Sequence, residues 1–409
     1  MVRESRLSRD KAATAILRLD TAGGVQVIAA GRGRNTRRYV VRSYQEIAIQ
    51  DDKAGFEAYL VIDASDRDIS FGGTRIDPSV TKEMVADLAD NMSLKLAVHG
   101  SPVGGAKAGL RASPDDPRLK EFLKRFAEEC RDVLSTTTIL GKDMGAKQWM
   151  LDEIYQTLNM AQLAVARKHT QTAECPDRLG ELDGYIPNMT GKGVFWSIEQ
   201  ALNGALNGAR VLIQGFGVVG SGVAWHLSRS GARIVGVSDC SKAVIDDGGM
   251  DVDALIAAKN ENGVLAEDKL PGSCARIGRD ELLAQSADLL VLAAGSYLVD
   301  ADTAARIQTP LVVEGANLAL LPDARNVLHA KAVRVVPDVI ANSSSAALVG
   351  HQIAAGNTRS PRTLWEEIEA NIKRCTEEVD EMSRQLDVDS KSAFRRLIEA
   401  ERGSGVGRS

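Results

Sequence analysis

"ARVLIQGFGVVGSGVAWHLSRSGARIVGVSD", Ala209–Asp239, is the stretch on which the fold depends. A short apolar run, Val211 to Ile213, leads into Gly215-x-Gly217-x-x-Gly220. Helical spacing then puts Val219, Val223 and Leu227 on one face, and Gly231 ends the run. A second apolar run, Arg233 to Val237, closes on Asp239, nineteen residues after Gly220. Each part has a physical task. Gly215 permits a tight turn, Gly217 lets backbone approach a pyrophosphate, and Gly220 lets helix pack close on strand. The first helical turn, with Val218 and Val219, presents its positive end to the phosphates. Asp239 can accept hydrogen bonds from a ribose hydroxyl, and its charge repels a 2′-phosphate. Strand, glycines, helix, strand and acid in that order predict a dinucleotide site, with NAD favoured; Lys242 nearby keeps NADP open.

Outward from this core, Val194 to about Asp338 alternates helical and strand patterns, the mark of βαβ units on a parallel sheet. "AECPDRLGELDGYIPNMTGKG" shifts to Pro, Gly and polar residues and reads as a boundary. Before it, apolar runs from about Tyr39 to Ile69 read as strands. Two helices follow, one over "PSVTKEMVADLADNMSLKLAV" and one over "DPRLKEFLKRFAEECRDVL". The first has an apolar stripe, Met84, Leu88 and Met92, that ends in Lys95. On periodicity alone, Lys95 snorkels to the surface. After "NSSSAALVG", Ser360-Pro361 opens a long helix with a stripe from Leu364 to Leu386. The expected division is an N-terminal arm over 1–38, a first α/β domain over 39–180, a dinucleotide domain over 181–350, and helices over 351–409 that pack back on the first domain.

The glycine-rich stretch "HGSPVGGAKAGL", His99 to Leu110, resembles a Walker A loop but fails as one. Ala106 intrudes before Lys107, and Ala108 stands where the Mg²⁺-binding hydroxyl belongs. What remains is a lysine on backbone with little side-chain cover.

The 409 residues carry a net charge of -5, with 44% hydrophobic and 26% charged, which argues against nucleic acid or membrane as partner. Five scattered cysteines lack C-x-x-C spacing, and five histidines lack ligand spacing, so no metal and no disulfide framework is expected. With no apolar leader in sight, a reducing, cytoplasmic setting fits.

Taken together, the motifs resemble those of the glutamate/leucine/phenylalanine/valine dehydrogenase superfamily. The landmarks run in order: "GGTR" at Gly72, "NMSLK" ending at Lys95, "PVGGAKAG" with Lys107, "ILGKDMG" with Asp143, "MTGKGV", the glycine fingerprint, "VEGAN" and "PDVIANSSS". The resemblance implies an α/β substrate and oligomerisation domain, followed by a Rossmann-like, doubly wound dinucleotide domain. It implies reversible oxidative deamination of an L-amino acid to a 2-oxo acid and ammonia, and a homo-oligomer. Carried over by position, Lys95 binds the substrate α-carboxylate, reversing the snorkelling reading. Lys107, at the family's interval from Lys95, is the catalytic lysine and Asp143 the proton shuttle, with Gly72 and Gly73 lining the substrate. Thr190, Asn317 and Asn342 belong to the nicotinamide end.

Glutamate-specific members carry a lysine just before the glycine pair, where this chain has Phe71, and a serine where it has Val349. Neither pairs a γ-carboxylate, and burying one unpaired costs several kcal/mol, so an apolar side chain is favoured. Two alternatives stay open: a glutamate dehydrogenase using another cation such as Arg75, and a catalytically silent nucleotide-binding paralogue. Lys142 beside Asp143 either lowers the carboxylate's pKa or points to solvent.

Overall fold

The computed structural model describes residues 15–19, 25–29, 44–63, 67–170, 188–260, 264–270, 272–355 and 359–403. Contacts divide them into two units. One runs up to Leu96, resumes at Ser101, and takes in Gly350 onward to 355; the other holds Ala97–Gly100, 188 to Val349 and 359–403. Residues 173–187 of the expected boundary, and most of the expected arm, lie outside the described residues. Within that arm, β1 (Ala15–Leu19) and β2 (Val25–Ala29) pair antiparallel.

The first unit is built on β3 (Tyr44–Asp51), β4 (Phe56–Asp63), β5 (Ser70–Ile76), β6 (Gly104–Leu110) and β7 (Thr138–Lys142). Their order is β3-β4-β6-β5-β7. The β3, β4 and β6 pairings are antiparallel, and β5 lies parallel between β6 and β7. Helix α1 (Lys82–Val98), started by Thr81 Oγ1 accepting from Met84 N at 3.2 Å, covers one face. There Val80, Val85 and Ala89 pack on Ala48, Tyr59 and Val61. The opposite face takes α2 (Leu119–Glu129), α3 (Arg131–Thr136) and α4 (Gln148–Leu158), with Phe122, Phe126 and Ile154 on Leu60, Ala108 and Leu110. The helix expected across 116–134 is thus two, broken at Cys130.

The second unit carries a seven-stranded sheet: β8 (Arg210–Gln214), β9 (Arg233–Ser238), β10 (Ala243–Ile245), β11 (Ala275–Ile277), β12 (Leu289–Leu292), β13 (Leu311–Glu314) and β14 (Arg334–Val336). The order is β11-β10-β9-β8-β12-β13-β14, parallel from β9 to β14, with an antiparallel edge at β10 and β11. From β8 the chain winds first to β9 on one side and later to β12 on the other. The order therefore reverses beside the carboxyl end of β8, where such sheets bind ligands. The helix Pro361–Leu386 begins as expected, with Ser360 capping Thr363 N. It packs on helix Met189–Ala201 of the same unit. Residues 359–403 of the expected last segment fall in the second unit, where the stripe of Leu364, Ile368 and Ile372 is buried.

Candidate active site

In the first unit three neighbouring strands deliver three ionisable groups to one point. β5 lies between β6 and β7, with Gly73 opposite Gly141 of β7 and Thr74 opposite Ala108 of β6. Lys107 reaches from β6, and Asp143 follows the last residue of β7. Lys107 Nζ lies 2.7 Å from Asp143 Oδ2. The pair meets over bare backbone: a Cβ on Gly73 would stand 2.8 Å from Asp143 Cβ and 3.2 Å from Lys107 Nζ. Gly73 is therefore required for the pair to form. Arg75, two residues on and so on the same face of β5, brings Nε to the same oxygen at 3.1 Å. The Lys107 and Arg75 side chains are 7% and 4% exposed, whereas Asp143 keeps 17%, so the carboxylate is the member open to visitors.

Burial pushes the Lys107 amine down, and the Arg75 charge adds to this, while Asp143 opposes it. For Asp143, burial works against the charge, but Lys107 and Arg75 overcome it and hold the carboxyl well below the usual range. Lys142, the last residue of β7, is exposed, so the solvent reading of that side chain holds and the cations on Asp143 are Lys107 and Arg75. Arg75 is the residue whose part the sequence did not reveal. Its signal was its place two positions after Gly73 on one strand.

The reading of Lys107 as lying on uncovered backbone is corrected. Residues 104–110 form a fully buried strand. A Cβ on Gly105 would stand 2.3 Å from Ser93 N, and one on Gly109 would stand 2.5 Å from Val85 Cγ2. Those two glycines admit α1, not a ligand. Gly105 N also donates to Ser93 Oγ at 3.0 Å, tying strand to helix. Gly72 is closed in the same way, since a Cβ there would stand 1.6 Å from Ala106 O. Lys95, in the last turn of α1, is 8% exposed, so it does not snorkel. Phe71 is buried at 7% in β5, opposite Gly105 and Ile139. Val349 is half-buried and falls in the other unit.

The second unit holds the residues expected to bind coenzyme. Gly215 has φ +90°, and a Cβ there would meet Ala294 Cα at 2.5 Å; one on Gly220 would meet Gly215 O at 2.0 Å. At Gly217 a Cβ would meet nothing within 4 Å, so the backbone faces open space there. Gly217 is the N-cap of the helix Val218–Arg229, no side chain caps it, and Val218 is 72% exposed. An open, uncapped N-terminus at a switch point suits a pyrophosphate. Asn188, unnoticed in the sequence, braces this end: its Oδ1 caps Gly191 N and its Nδ2 donates to Val218 O at 2.6 Å.

Asp239 is largely occupied. Its Oδ1 accepts from Ser241 N, Ser241 Oγ and Lys242 N, and its Oδ2 from Leu265 N. Burial works against its charge, but these donors hold the carboxyl below the usual range. Thr190 Oγ1 pairs with Ser345 Oγ at 2.8 Å. Asn342 Nδ2 donates to Asn317 Oδ1 and to Gly315 O, both at 3.1 Å, while Asn342 Oδ1 is buried with no partner. A buried acceptor left open beside Asn317 fits the carboxamide of a nicotinamide.

Beneath these two asparagines lies a buried ion network. Glu314 pairs with Arg325 at 2.7 Å, and Asp338 with Lys391 at 3.2 Å. Glu314 Oε1 also accepts from Leu320 N, and Asp338 Oδ2 from Leu318 N at 2.7 Å, which fixes the loop carrying Asn317. Among the described residues no group of three or more His, Cys, Asp or Glu could hold a metal ion, and no helix is long and apolar enough to cross a membrane.

Residues 185–405 match the family model for Glutamate/Leucine/Phenylalanine/Valine dehydrogenase, and 40–160 match that for its dimerisation domain. The NADP-specific glutamate dehydrogenase of Saccharolobus shibatae is 31% identical over 310 residues, 72% of this chain and 70% of that protein. Glutamate dehydrogenase A2 of Halobacterium salinarum is 32% identical over 342 residues, 80% of this chain and 79% of that protein. Among solved structures, the hetero-hexameric glutamate dehydrogenase from Thermus thermophilus in its Leu-bound form superposes with TM-score 0.69 at 26% identity. It covers 96% of this chain, which covers 89% of it. The L-tryptophan dehydrogenase from Nostoc punctiforme shares the fold, with TM-score 0.60 at 18% identity, over 88% of this chain and 96% of that one. The chain therefore belongs to the Glu/Leu/Phe/Val dehydrogenase family and is an amino acid dehydrogenase, an oxidoreductase that works with a nicotinamide cofactor.

Proposed function

We propose that this dehydrogenase deaminates an L-amino acid with an uncharged, apolar side chain, using NAD. The observation that carries the reading is the buried Lys107–Asp143 pair over Gly73. A bound nicotinamide would supply the acceptor for the hydride that leaves the substrate α-carbon as that carbon becomes an iminium. Lys107, whose ammonium is made readier to give up its proton by burial, orients the water that attacks this carbon and stabilises the oxygen as charge develops. Asp143, the more exposed member, carries protons between water, departing amine and solvent. Lys95 binds the α-carboxylate. In this reading the first unit takes the amino acid and builds a homo-oligomer. The second takes the coenzyme through Gly215, Gly217, Val218, Val219 and Gly220, with Thr190, Asn317 and Asn342 at the nicotinamide.

Two observations support an apolar side chain. Phe71 is buried where a cation is needed for a γ-carboxylate, and Arg75, the alternative cation that the sequence offered, already serves Asp143. The ionised Asp239 at the end of β9 supports NAD. Glutamate is the competing substrate, as the names of the relatives have it. The test is NADH and NADPH formation with the common L-amino acids. Apolar substrates should lead, with Lys107→Ala abolishing turnover while coenzyme still binds. Phe71→Lys should move the kcat/KM ratio toward glutamate by at least about tenfold, the gain from pairing one buried charge. Glutamate as clear best substrate of the unaltered protein removes the apolar reading.

A further inference from the structure

The loop that carries Asn317 is held in a conformation that residues with side chains rarely adopt. Leu318 has φ +53°, and Tyr297, whose N–H donates to Leu318 O at 2.7 Å, has φ +58°. A leucine in the left-handed region stays there only when its surroundings outweigh the strain. Here both peptide groups of Leu318 are engaged: Tyr297 N takes its carbonyl, and its N–H donates to Asp338 Oδ2 at 2.7 Å. Asp338 also fixes the second asparagine. It opens the short helix Asp338–Ala341, and its main-chain O accepts from Asn342 N at 3.1 Å. One fully buried residue therefore governs both Asn317 and Asn342, whose side chains meet at 3.1 Å.

A carboxylate with no exposure needs a counter-charge, and Lys391 supplies it, with Nζ 3.2 Å from Asp338 Oδ1. Lys391 lies in the first turn of the helix Ser390–Gly403, where Asp389 Oδ1 accepts from Lys391 N and Ser392 N. A cation at that end of a helix works against the dipole, so its place is explained by its partner and not by its own helix. We propose that Lys391, acting through Asp338, is a positioning residue for the nicotinamide: it keeps Asn317 and Asn342 at the spacing that receives the carboxamide. The inference rests on the coenzyme reading above and extends it to a helix that none of the sequence motifs covers. Asp338 Oδ2 can stay turned toward Leu318 N because Lys391 holds the other oxygen, and the strained loop keeps one shape for as long as that bond is made.

The test is titration of the full chain with NADH and with ADP-ribose, which lacks the nicotinamide, for the unaltered protein, Lys391→Met and Lys391→Arg. Lys391→Met should weaken NADH about tenfold and leave ADP-ribose within about twofold, since only the carboxamide end is disturbed. Lys391→Arg should restore most of the loss. Removing one partner of a buried pair endangers folding, so the charge-balanced double variant Asp338→Asn with Lys391→Met is titrated beside them and should show the same split. Equal weakening of NADH and ADP-ribose marks a merely structural role and overturns the inference. Unchanged NADH affinity in the variants overturns it too, as does a loss that Lys391→Arg fails to mend. An unaltered protein that binds NADH no better than ADP-ribose, or binds neither, defeats the underlying coenzyme reading instead.

Discussion

At the scale of the residue, the site is a contest among three charges in little solvent. Lys107 and Arg75 both face Asp143 Oδ2, so the cluster carries one net positive charge. Arg75 does two things at once: it lowers the Lys107 amine and helps keep the Asp143 carboxyl ionised. Removing it in Arg75→Gln leaves a neutral Lys107–Asp143 pair, and both groups then hold their protons to higher pH. If deamination uses Lys107 in its neutral form, the rising limb of kcat/KM moves to higher pH and the rate near pH 7 falls on the order of tenfold. A pH–rate profile of Arg75→Gln checks this; an unmoved limb separates Arg75 from the chemistry. Lys107 and Asp143 were legible in the sequence through their motifs. Arg75 was not, because its partner lies 68 positions away and is set by strand register.

At the scale of the element, glycines decide how near a helix comes to a sheet. Gly105 has Ser93 N and Ala89 O within 2.5 Å of where a Cβ would stand, and both are backbone atoms that cannot rotate aside. Gly105→Ala must therefore lift α1 from β6, at about 1–3 kcal/mol of stability. Because α1 carries Lys95 and β6 carries Lys107, the same shift should raise the KM for amino acid while coenzyme affinity stays unchanged. Thermal unfolding and steady-state kinetics check the two halves, and full activity with unaltered KM refutes the coupling. The elements themselves were mostly readable: Ser79 or Thr81 announced α1, of which Thr81 is the cap, Ser360 announced its helix, and the strand–glycine–helix order announced the second sheet. The break at Cys130 was not, since the apolar stripe from Leu119 through Cys130 to Val133 keeps helical register across it.

At the scale of the whole molecule, the structure has two units of separate core, and the proposed function gives the coenzyme to the second. Coenzyme that binds the folded second unit alone, at a hundred times its dissociation constant, adds about 2.7 kcal/mol to that unit's stability. Calorimetry with and without NADH should show the rise, while a chelator should leave both melting and turnover unchanged. A melting curve indifferent to NADH contradicts the coenzyme reading.

The sequence by itself determined the family, the doubly wound sheet and the positions of Lys95, Lys107 and Asp143, because these follow from local spacing and from motifs that run in order along the chain. Only the tertiary structure decided that Arg75 shares Asp143, that Gly105 and Gly109 admit a helix, that Asp239 is occupied by main-chain donors, and that 359–403 joins the second unit. The reason is physical. Charge pairing and close packing act through space between segments far apart in the chain, and no pattern within either segment encodes the partner.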